Sequence, residues 1–307
     1  MNTAPEPHVP ATLPPTVVVG ATGHLGSAFL ASYRKIHPTC IGLARVPSDS
    51  RMPPLDLRRP DLGGLRLQAQ GYRDALILAG VTGLERCEKN PAGTRAVNVT
   101  GTLELIRQLA AEGLKPIFAS SDQVFDGKTG TYDETAPIAP TTEYGRQKAE
   151  VEARIGEHTR GNHLVIRIGT EFSLNRGSRA LLDELADRLR EGGPAFPGYD
   201  DAFSPVLLSD LISVVARLQV CHTTGLIHVA SPEVWSRRGI AAALAEALGL
   251  PGHRVAPALG GSERSQARPP CDRSLDTSRL REEIEYSFVP LRSCIDFVAR
   301  QRKGAGP

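Results

Sequence analysis

The chain has 307 residues, of which 40% are hydrophobic and 23% are charged, and its formal net charge is +2. This length and composition are typical of a globular protein with a sizeable core, and they predict two lobes. The near-zero charge and the lack of a basic segment interleaved with aromatic residues argue against nucleic acid as a partner. No run of about 18 apolar residues occurs, so neither a transmembrane helix nor a membrane partner is expected.

The first fifteen residues contain five prolines but no Lys or Arg. They resemble neither a signal peptide nor a transit peptide, and we predict a disordered tail for residues 1–15. The five cysteines are odd in number, widely spaced and without a CxxC motif. This pattern favours reduced thiols in a cytoplasmic protein, and it predicts no metal site.

A β-branched run followed by a glycine-rich turn begins the folded part of the chain. Residues 16–19 predict a buried strand, and three glycines follow in a GxxGxxG spacing before an apolar helix that extends to about Ile36. Such a turn lets the backbone approach a pyrophosphate at a helix N-terminus, although glycines also form turns for packing alone. The predicted cofactor contacts in this turn are Gly20, Thr22, Gly23, His24, Leu25 and Gly26.

A second predicted strand, residues 40–44, ends at Arg45. Folds that bind NAD at a strand, glycine turn and helix place a carboxylate at the end of the second strand for the ribose 2′-hydroxyl, whereas an arginine suits a 2′-phosphate. Arg45 therefore favours NADPH over NADH, with a solvated surface arginine as the alternative. A third short extended segment at residues 55–57 would place Asp56 and Leu57 beside the adenine.

A fourth predicted strand, residues 75–80, ends in Ala79 and Gly80, whose small size would let a cofactor pass. The helix that follows carries Asn98, and Asn is unfavourable inside helices. A buried Asn98 would need a function such as ordering water near Lys148, and a plain surface Asn is the alternative.

The next strand ends in hydroxyl groups at Ser121, and Tyr144 and Lys148 follow four residues apart on a predicted helix. Residues with this spacing project from one helix face. An ammonium at about 4 Å contributes roughly 4 kcal/mol at an effective dielectric near 20, enough to lower the pKa of a phenol by about 3 units. Tyr144 is thus predicted to protonate a carbonyl oxygen that Ser121 holds. A surface Tyr and Lys on an amphipathic helix are the alternative.

Beyond a sixth predicted strand at residues 164–168, the strictly alternating pattern of strands and helices ends. The elements predicted there are a helix at 179–191, an extended segment at 205–208, a strand at 226–229, a helix at 236–248, a loop at 256–273 and a helix at 291–300.

Together these motifs resemble the extended short-chain dehydrogenase/reductase family and, within it, the branch of dTDP-4-dehydrorhamnose reductase. The similarity covers about residues 16–300. Its motifs are the glycine turn, Ser-Ser-Asp-x-Val-Phe-Asp-Gly at 120–127, Tyr144 with Lys148, Phe203-Ser204-Pro205 ahead of Asp210-Leu211, and Arg268-Pro269-Pro270 followed by Leu275-Asp276-Thr277.

The resemblance implies an α/β fold, namely a Rossmann-type doubly wound parallel sheet with a smaller C-terminal α/β substrate lobe. Residues 16–168 and about 206–232 would form the dinucleotide-binding domain, and about 169–205 and 233–307 the substrate-binding lobe. The implied reaction is hydride transfer from NADPH, or NADH, to the C4 carbonyl of a nucleotide-linked 4-keto-6-deoxy sugar. A homodimer is an expected assembly.

Carried over position by position, the resemblance makes Ser121 the residue that orients the keto oxygen and Tyr144 the general acid. Lys148 would hold the nicotinamide ribose and lower the pKa of Tyr144. The predicted substrate contacts are Thr82, Asp122, Gln123, Val124, Phe125, Thr170 and Arg268.

Two positions depart from the pattern of that branch. Gln123 replaces its usual Tyr; sugar 4,6-dehydratases need a Glu there as a base, and an amide cannot abstract a proton, so dehydratase chemistry is not expected. The segment after Arg167 lacks the aromatic residue that the branch places against the substrate, so the substrate need not be the usual rhamnose precursor. The alternatives are a non-catalytic NADP-binding subunit like the regulatory subunit of methionine adenosyltransferase, a sugar-nucleotide epimerase, and a reductase of another small carbonyl compound.

Overall fold

A computed structural model describes residues 3–174, 181–192, 201–252, 255 and 271–304 of the chain. The α/β class predicted from the sequence is confirmed. A parallel sheet of six strands, with helices on both faces, forms the centre of the part that the structure describes. The predicted helix start at Arg179 and most of the loop predicted at 256–273 lie outside the described residues.

The strands share short runs of apolar and β-branched residues. In chain order they are β1 (Thr16–Val19), β2 (Ile41–Leu43), β3 (Asp74–Ile77), β4 (Lys115–Ser121), β5 (Leu164–Ile168), β6 (Thr170–Phe172), β7 (Ala202–Phe203), β8 (Pro205–Leu207), β9 (Gly225–Val229) and β10 (Trp235–Ser236). The large sheet has the order β2-β1-β3-β4-β5-β9, with each neighbouring pair parallel. Its central strands are mostly apolar because helices cover both of their faces, and their buried polar residues include Asp74, Lys115 and Arg167.

The helices alternate with these strands. They are α1 (His24–Ile36), α2 (Leu84–Lys89), α3 (Pro91–Arg95), α4 (Thr102–Ala111), α5 (Glu143–Thr159), α6 (Leu181–Glu191), α7 (Leu208–Val220), α8 (Arg237–Leu248), α9 (Ser278–Glu283) and α10 (Leu291–Gly304). Helices α1 and α7 pack on one face of the sheet, and α4 and α5 pack on the other. This is the doubly wound arrangement expected from the sequence.

A separate apolar cluster lies outside the sheet. It is built from α6, α8 and α10, together with Phe172, Phe203 and Leu207. Strand pairs β6·β8 and β7·β10 border it. The sheet and this cluster thus form separate cores, while the division into a dinucleotide-binding domain and a smaller substrate lobe, with its boundaries, stays a prediction.

Two predicted elements have a different form in the structure. The extended segment at 55–57 forms no strand, because only Pro54 and the Leu55 N–H pair with Ala44 before the chain turns. The helix predicted after Pro91 is divided into α3, a π-helical turn at Ala96–Gly101, and α4. A side chain at Gly101 would collide with the Leu57 carbonyl oxygen, so the π-helical turn passes directly against that backbone.

Residues 3–15 contact the outer surface of α1 and α7. Leu13 is 1% exposed, the His8 N–H donates to Ser213 Oγ at 2.8 Å, and Glu6 pairs with Lys35 at 3.0 Å. Leu13 belongs to the sheet's apolar cluster, and Val9 packs against it. These contacts argue against the disorder predicted for the tail, because its few apolar residues have an apolar surface to cover.

Over the same described ranges, no helix is long and apolar enough to cross a membrane. No group of three or more His, Cys, Asp or Glu side chains in those ranges could hold a metal ion. None of the five cysteines, all of which the structure describes, forms a disulfide bond, and Cys221 is the exposed one among them.

Candidate active site

An open groove of about 520 Å³ follows the carboxyl ends of β1, β2 and β3. This edge of an open parallel sheet is where such folds bind their ligands. Of the predicted cofactor contacts, the groove is lined by Gly20, Thr22, Gly23, Arg45, Asp56, Leu57, Ala79 and Gly80. The predicted substrate contact Thr82 also lines it, whereas His24, Leu25, Gly26, Asn98 and Lys148 do not.

The glycine turn serves both close approach and packing. Gly20 has φ +87°, and a Cβ there would lie 2.7 Å from the Ala79 nitrogen. A Cβ at Gly26 would lie 2.1 Å from the Gly20 carbonyl oxygen. Gly23 is the exposed N-cap of α1, and its N–H donates to Gly20 O at 2.9 Å. The turn therefore leaves the start of α1 open to the groove, while Gly26 is required for packing behind it.

His24, the first residue of α1, contacts Glu171 on β6. Its Nε2 lies 3.3 Å from Glu171 Oε1 on β6, and the Glu171 side chain is only 18% exposed. Burial raises the pKa of Glu171, opposed by His24. Sequence reasoning missed this contact, because its partners are 147 residues apart and no local pattern marks Glu171.

The described lining of the groove carries three arginines and one aspartate. Arg45, Arg58 and Arg86 are all exposed. Asp56 Oδ1 accepts from the Arg58 N–H at 2.9 Å, and its other oxygen lies 3.9 Å from the Arg58 guanidinium. The sequence predicted Arg45 and Asp56 here but missed Arg58 and Arg86. The positive excess suits an anionic ligand.

Asn98 lies in the π-helical turn and is 4% exposed, so the surface alternative is wrong. Its Oδ1 accepts from the Val81 N–H at 2.7 Å, and its Nδ2 donates to Val81 O at 2.9 Å and to Gln147 Oε1 at 2.8 Å. Asn98 therefore fixes the loop after β3 and ties it to α5. Its partners are Val81 and Gln147 rather than Lys148.

Ser121 ends β4 beside the groove. The Gln123 N–H donates to Ser121 Oγ at 3.2 Å, and the Ser121 hydroxyl donates to Asp122 Oδ1 at 2.9 Å. Asp122, Gln123 and Val124 form a single 3₁₀ turn directly after the strand. The turn holds the Ser121 hydroxyl at the carboxyl end of the sheet.

Helix α5 places Tyr144 and Lys148 on the face that packs against this turn. A Cβ at Gly145 would lie 2.0 Å from the Gln123 carbonyl oxygen, so glycine there allows the helix to begin against the turn. Lys148 Nζ lies 5.6 Å from the centroid of the Tyr144 ring and 4.5 Å from that of Phe118. The shared helix face predicted from the spacing of four is confirmed.

The pKa values of Tyr144 and Lys148 differ from those expected from the sequence. Lys148 is 7% exposed and its Nζ donates to Ala119 O at 2.6 Å. Burial lowers the pKa of Lys148 to about 8, opposed by the Glu152 carboxylate. Burial also raises the pKa of Tyr144 well above its ordinary value, with Asp122 and Cys87 adding to the rise. The lowering of the Tyr144 pKa predicted from the sequence is not observed, because the loss of solvent outweighs any effect of the ammonium.

A buried polar network lies behind Lys148. Arg167 on β5 is 2% exposed and donates to Glu152 at 2.7 Å, and the Ser120 hydroxyl also donates to Glu152. The Arg167 guanidinium lies 3.2 Å from His228 Nε2. Burial, with the nearby guanidinium, lowers the pKa of His228 to about 4, which keeps this imidazole neutral. Sequence reasoning assigned these residues no role.

The predicted substrate contacts divide into two groups. Val124 and Phe125 are fully buried, and Phe125 stacks on Tyr132 with ring centroids 4.2 Å apart, so both belong to the core and are not open to a ligand. Gln123 and Thr170 are partly exposed, and Asp122 is 6% exposed. Arg268 lies outside the described residues.

Arg273 is a further cation, besides Lys148, near the 3₁₀ turn formed by residues 122–124, and the sequence did not predict it. Its guanidinium donates to the Phe125 carbonyl oxygen at 3.3 Å and to Thr141 Oγ1 at 3.2 Å.

Comparison with known proteins matches residues 15–301 to the family described as the RmlD substrate binding domain. The dTDP-4-dehydrorhamnose reductase of Mycobacterium tuberculosis is 28% identical over 90% of this chain and 88% of its own length. The methionine adenosyltransferase 2 subunit beta of Xenopus tropicalis is 24% identical over 87% of this chain and 81% of its own length.

A solved dTDP-4-dehydrorhamnose reductase of Bacillus anthracis, in complex with NADP, superposes with a TM-score of 0.71 at 18% identity. The superposition covers 93% of this chain and 97% of that one. At this level of identity, the likeness shows the fold alone.

Proposed function

This chain belongs to the RmlD substrate-binding domain family, and we propose that it is an NADPH-dependent reductase of a nucleotide-linked 4-keto-6-deoxy sugar. Membership places it among the NAD(P)H-dependent oxidoreductases that act on sugar nucleotides. The observation that carries the finer proposal is that Tyr144 and Lys148 lie on the face of α5 that packs against the turn following Ser121, at the carboxyl end of β4.

The residues fit one acid-assisted carbonyl reduction. A bound nicotinamide cofactor supplies the hydride to the carbonyl carbon. Tyr144 donates its phenolic proton to the oxygen, and its raised pKa ensures that the proton is present at neutral pH. An alkoxide is a much stronger base than a phenolate, so this transfer is downhill once hydride reaches the carbon. The Ser121 hydroxyl holds the oxygen, and Lys148 would contact the nicotinamide ribose.

The arginines of the groove support NADPH over NADH. Arg45 follows β2, where a carboxylate would pair with a ribose 2′-hydroxyl, and Arg58 and Arg86 add charge of the same sign. Asp56, the aspartate in the described lining, already accepts from the Arg58 backbone N–H. A 2′-phosphate would meet an excess of guanidinium groups that can bind it in bidentate fashion.

The proposed substrate class rests on the reductase relative and on Gln123. An amide beside the catalytic turn provides no base for dehydration, which leaves reduction as the chemistry that the side chains support. Thr170 and Gln123 are the residues that distinguish this substrate pocket from the usual one of the branch. They favour a keto-sugar other than the rhamnose precursor.

The test is NADPH oxidation with a panel of dTDP- and UDP-linked 4-keto-6-deoxy sugars. We expect turnover by the wild type, and loss of about 10²-fold or more in Tyr144→Phe with NADPH binding retained. Tyr72→Phe is the matched control, because the Tyr72 hydroxyl donates to Thr39 O away from the groove. No turnover on any of the sugars, or full activity in Tyr144→Phe, would overturn the proposal.

A regulatory subunit is the second candidate, and the Xenopus relative favours it. It predicts that the chain binds NADPH without turnover and changes the kinetics of a methionine adenosyltransferase on mixing. Turnover without any effect on such an enzyme would exclude it.

A further inference from the structure

The hydrogen bonds of Ser121 leave its hydroxyl without a proton to offer a substrate. The Gln123 N–H can only donate, so it occupies one lone pair of Ser121 Oγ. An ionised Asp122 can only accept, so it takes the single hydroxyl hydrogen of Ser121 at 2.9 Å. Holding a keto oxygen requires that same hydrogen. An ionised Asp122 and a working Ser121 therefore exclude each other.

A protonated Asp122 resolves this conflict. Its carboxyl O–H can donate to Ser121 Oγ, which then accepts two hydrogen bonds and keeps its own hydrogen for the ligand. The Gln123 Nε2 group, 3.4 Å from Asp122 Oδ1, can still donate to that oxygen. The Asp122 O–H, the two Gln123 donors and the Ser121 O–H then each have an acceptor once a carbonyl oxygen lies beside Ser121.

The surroundings of Asp122 favour its neutral form. The residue is 6% exposed, and its side chain accepts from the Ser121 hydroxyl and from the side-chain and backbone amides of Gln123, all of which are uncharged. In the described part of the chain, the charged or titratable groups that act on it are Arg273 and, from α5, Tyr144. The Arg273 guanidinium donates to Phe125 O and Thr141 Oγ1 instead. Burial raises the pKa of Asp122, with Ser121 and Arg273 opposing the rise.

We propose that Asp122 is a proton-carrying positioning residue, whose protonated carboxyl group donates to Ser121 Oγ and so releases the Ser121 hydrogen for the substrate's keto oxygen. The proposal rests on the proposed reductase function of the same site. It also removes the carboxylate that opposes ionisation of Tyr144, so one proton on Asp122 prepares both groups that face the oxygen.

The proposal has a defined pH dependence. Asp122 carries its proton below its raised pKa, so turnover is full at low pH and falls as the pH rises through that value. Lys148 loses its charge near pH 8 and gives a separate decline at higher pH. Tyr144 stays protonated throughout this range, because its pKa is raised. Two alkaline limbs are therefore expected, and the lower one belongs to Asp122.

Asp122→Asn tests this assignment with a residue of the same shape. An amide can donate to Ser121 Oγ at any pH, so we expect kcat within about 10-fold of the wild type and no lower limb. Ser121→Ala should lose about 100-fold and also lack that limb, and Asp122→Asn should have no further effect in its background. Asp61→Asn, on an exposed loop, is the control. An Asp122→Asn variant as inactive as Ser121→Ala, or one that keeps the lower limb, would overturn the proposal.

An infrared measurement separates this proposal from the proposed function. At a pH where an exposed aspartate is already ionised, the difference spectrum between the wild type and Asp122→Asn should still contain the carbonyl stretch of a protonated carboxyl group, because burial raises the pKa of Asp122. That band needs no substrate, so it still decides the state of Asp122 if no keto-sugar turns over and the reductase function fails. If the wild type instead shows the bands of an ionised carboxylate that Asp122→Asn lacks, the proposal is overturned.

Discussion

The cofactor groove and the catalytic end of the sheet hold their charges in opposite ways. In the groove, Arg45, Arg58 and Arg86 are exposed, and solvent screens them. Around β4 and α5, Lys148 and Asp122 are buried. Burial lowers the pKa of Lys148 and raises the pKa of Asp122, and both shifts favour the neutral form of the side chain. We therefore expect the exposed charges to control the affinity and salt dependence of ligand binding, and the buried charges to control rate and pH dependence.

The largest effect is expected from breaking the buried ion pair behind the catalytic end. Glu152→Gln leaves the Arg167 guanidinium buried without its carboxylate and should lower the free energy of unfolding by about 3–5 kcal/mol. Urea denaturation measures this change. Glu104→Gln is the control, since its bond to Arg107 is on the surface and should contribute less than about 1 kcal/mol. Equal losses in the two variants would remove the contrast between buried and exposed charges.

Lys148→Met tests the catalytic end by rate. We expect kcat to fall about 10²-fold or more at neutral pH, and the decline near pH 8 to disappear, because the variant has no ammonium to titrate. The exposed Lys128→Met is the control. A variant that keeps the decline near pH 8 would assign it to another group.

Arg45→Asp tests the groove by affinity. We expect NADPH binding to weaken at least about 10-fold more than NADH binding, because only NADPH carries the 2′-phosphate. Fluorescence titration at low and high salt measures both cofactors. Arg73→Asp is an exposed control beside the opposite end of β3. Equal weakening of the two cofactors would remove the proposed role of Arg45.

Glu171→Gln tests the contact between β6 and the start of α1, and it should have the smallest effect. The Glu171 carboxylate lies beside His24 at the N-terminus of α1, where a pyrophosphate would bind and a second anion would be repelled. Its removal should tighten NADPH binding by about 2- to 5-fold. Glu157→Gln, at the far end of α5, is the control. Weaker binding would show that Glu171 supports the cofactor site through His24.

The local features of the fold could be predicted from the sequence because each depends on neighbouring residues. The run at 16–19, the glycine turn and the apolar helix that follows have the expected form. The spacing of Tyr144 and Lys148 places both on one face of α5, since the helical repeat alone decides it. The end of β4 at Ser121 follows from the change from apolar to hydroxyl residues.

The tertiary structure alone decided what surrounds these groups. Lys148 on α5 donates to Ala119 on β4, Asn98 holds Val81 and Gln147, and Glu171 on β6 meets His24 at the start of α1.

The direction of each pKa shift in the site depends on the loss of solvent, which is set by every element packed around a group. No residue pattern records that sum. The sequence thus determined which catalytic groups are present and in what register, whereas burial by distant elements decided their charge, their partners and which of them a ligand can reach.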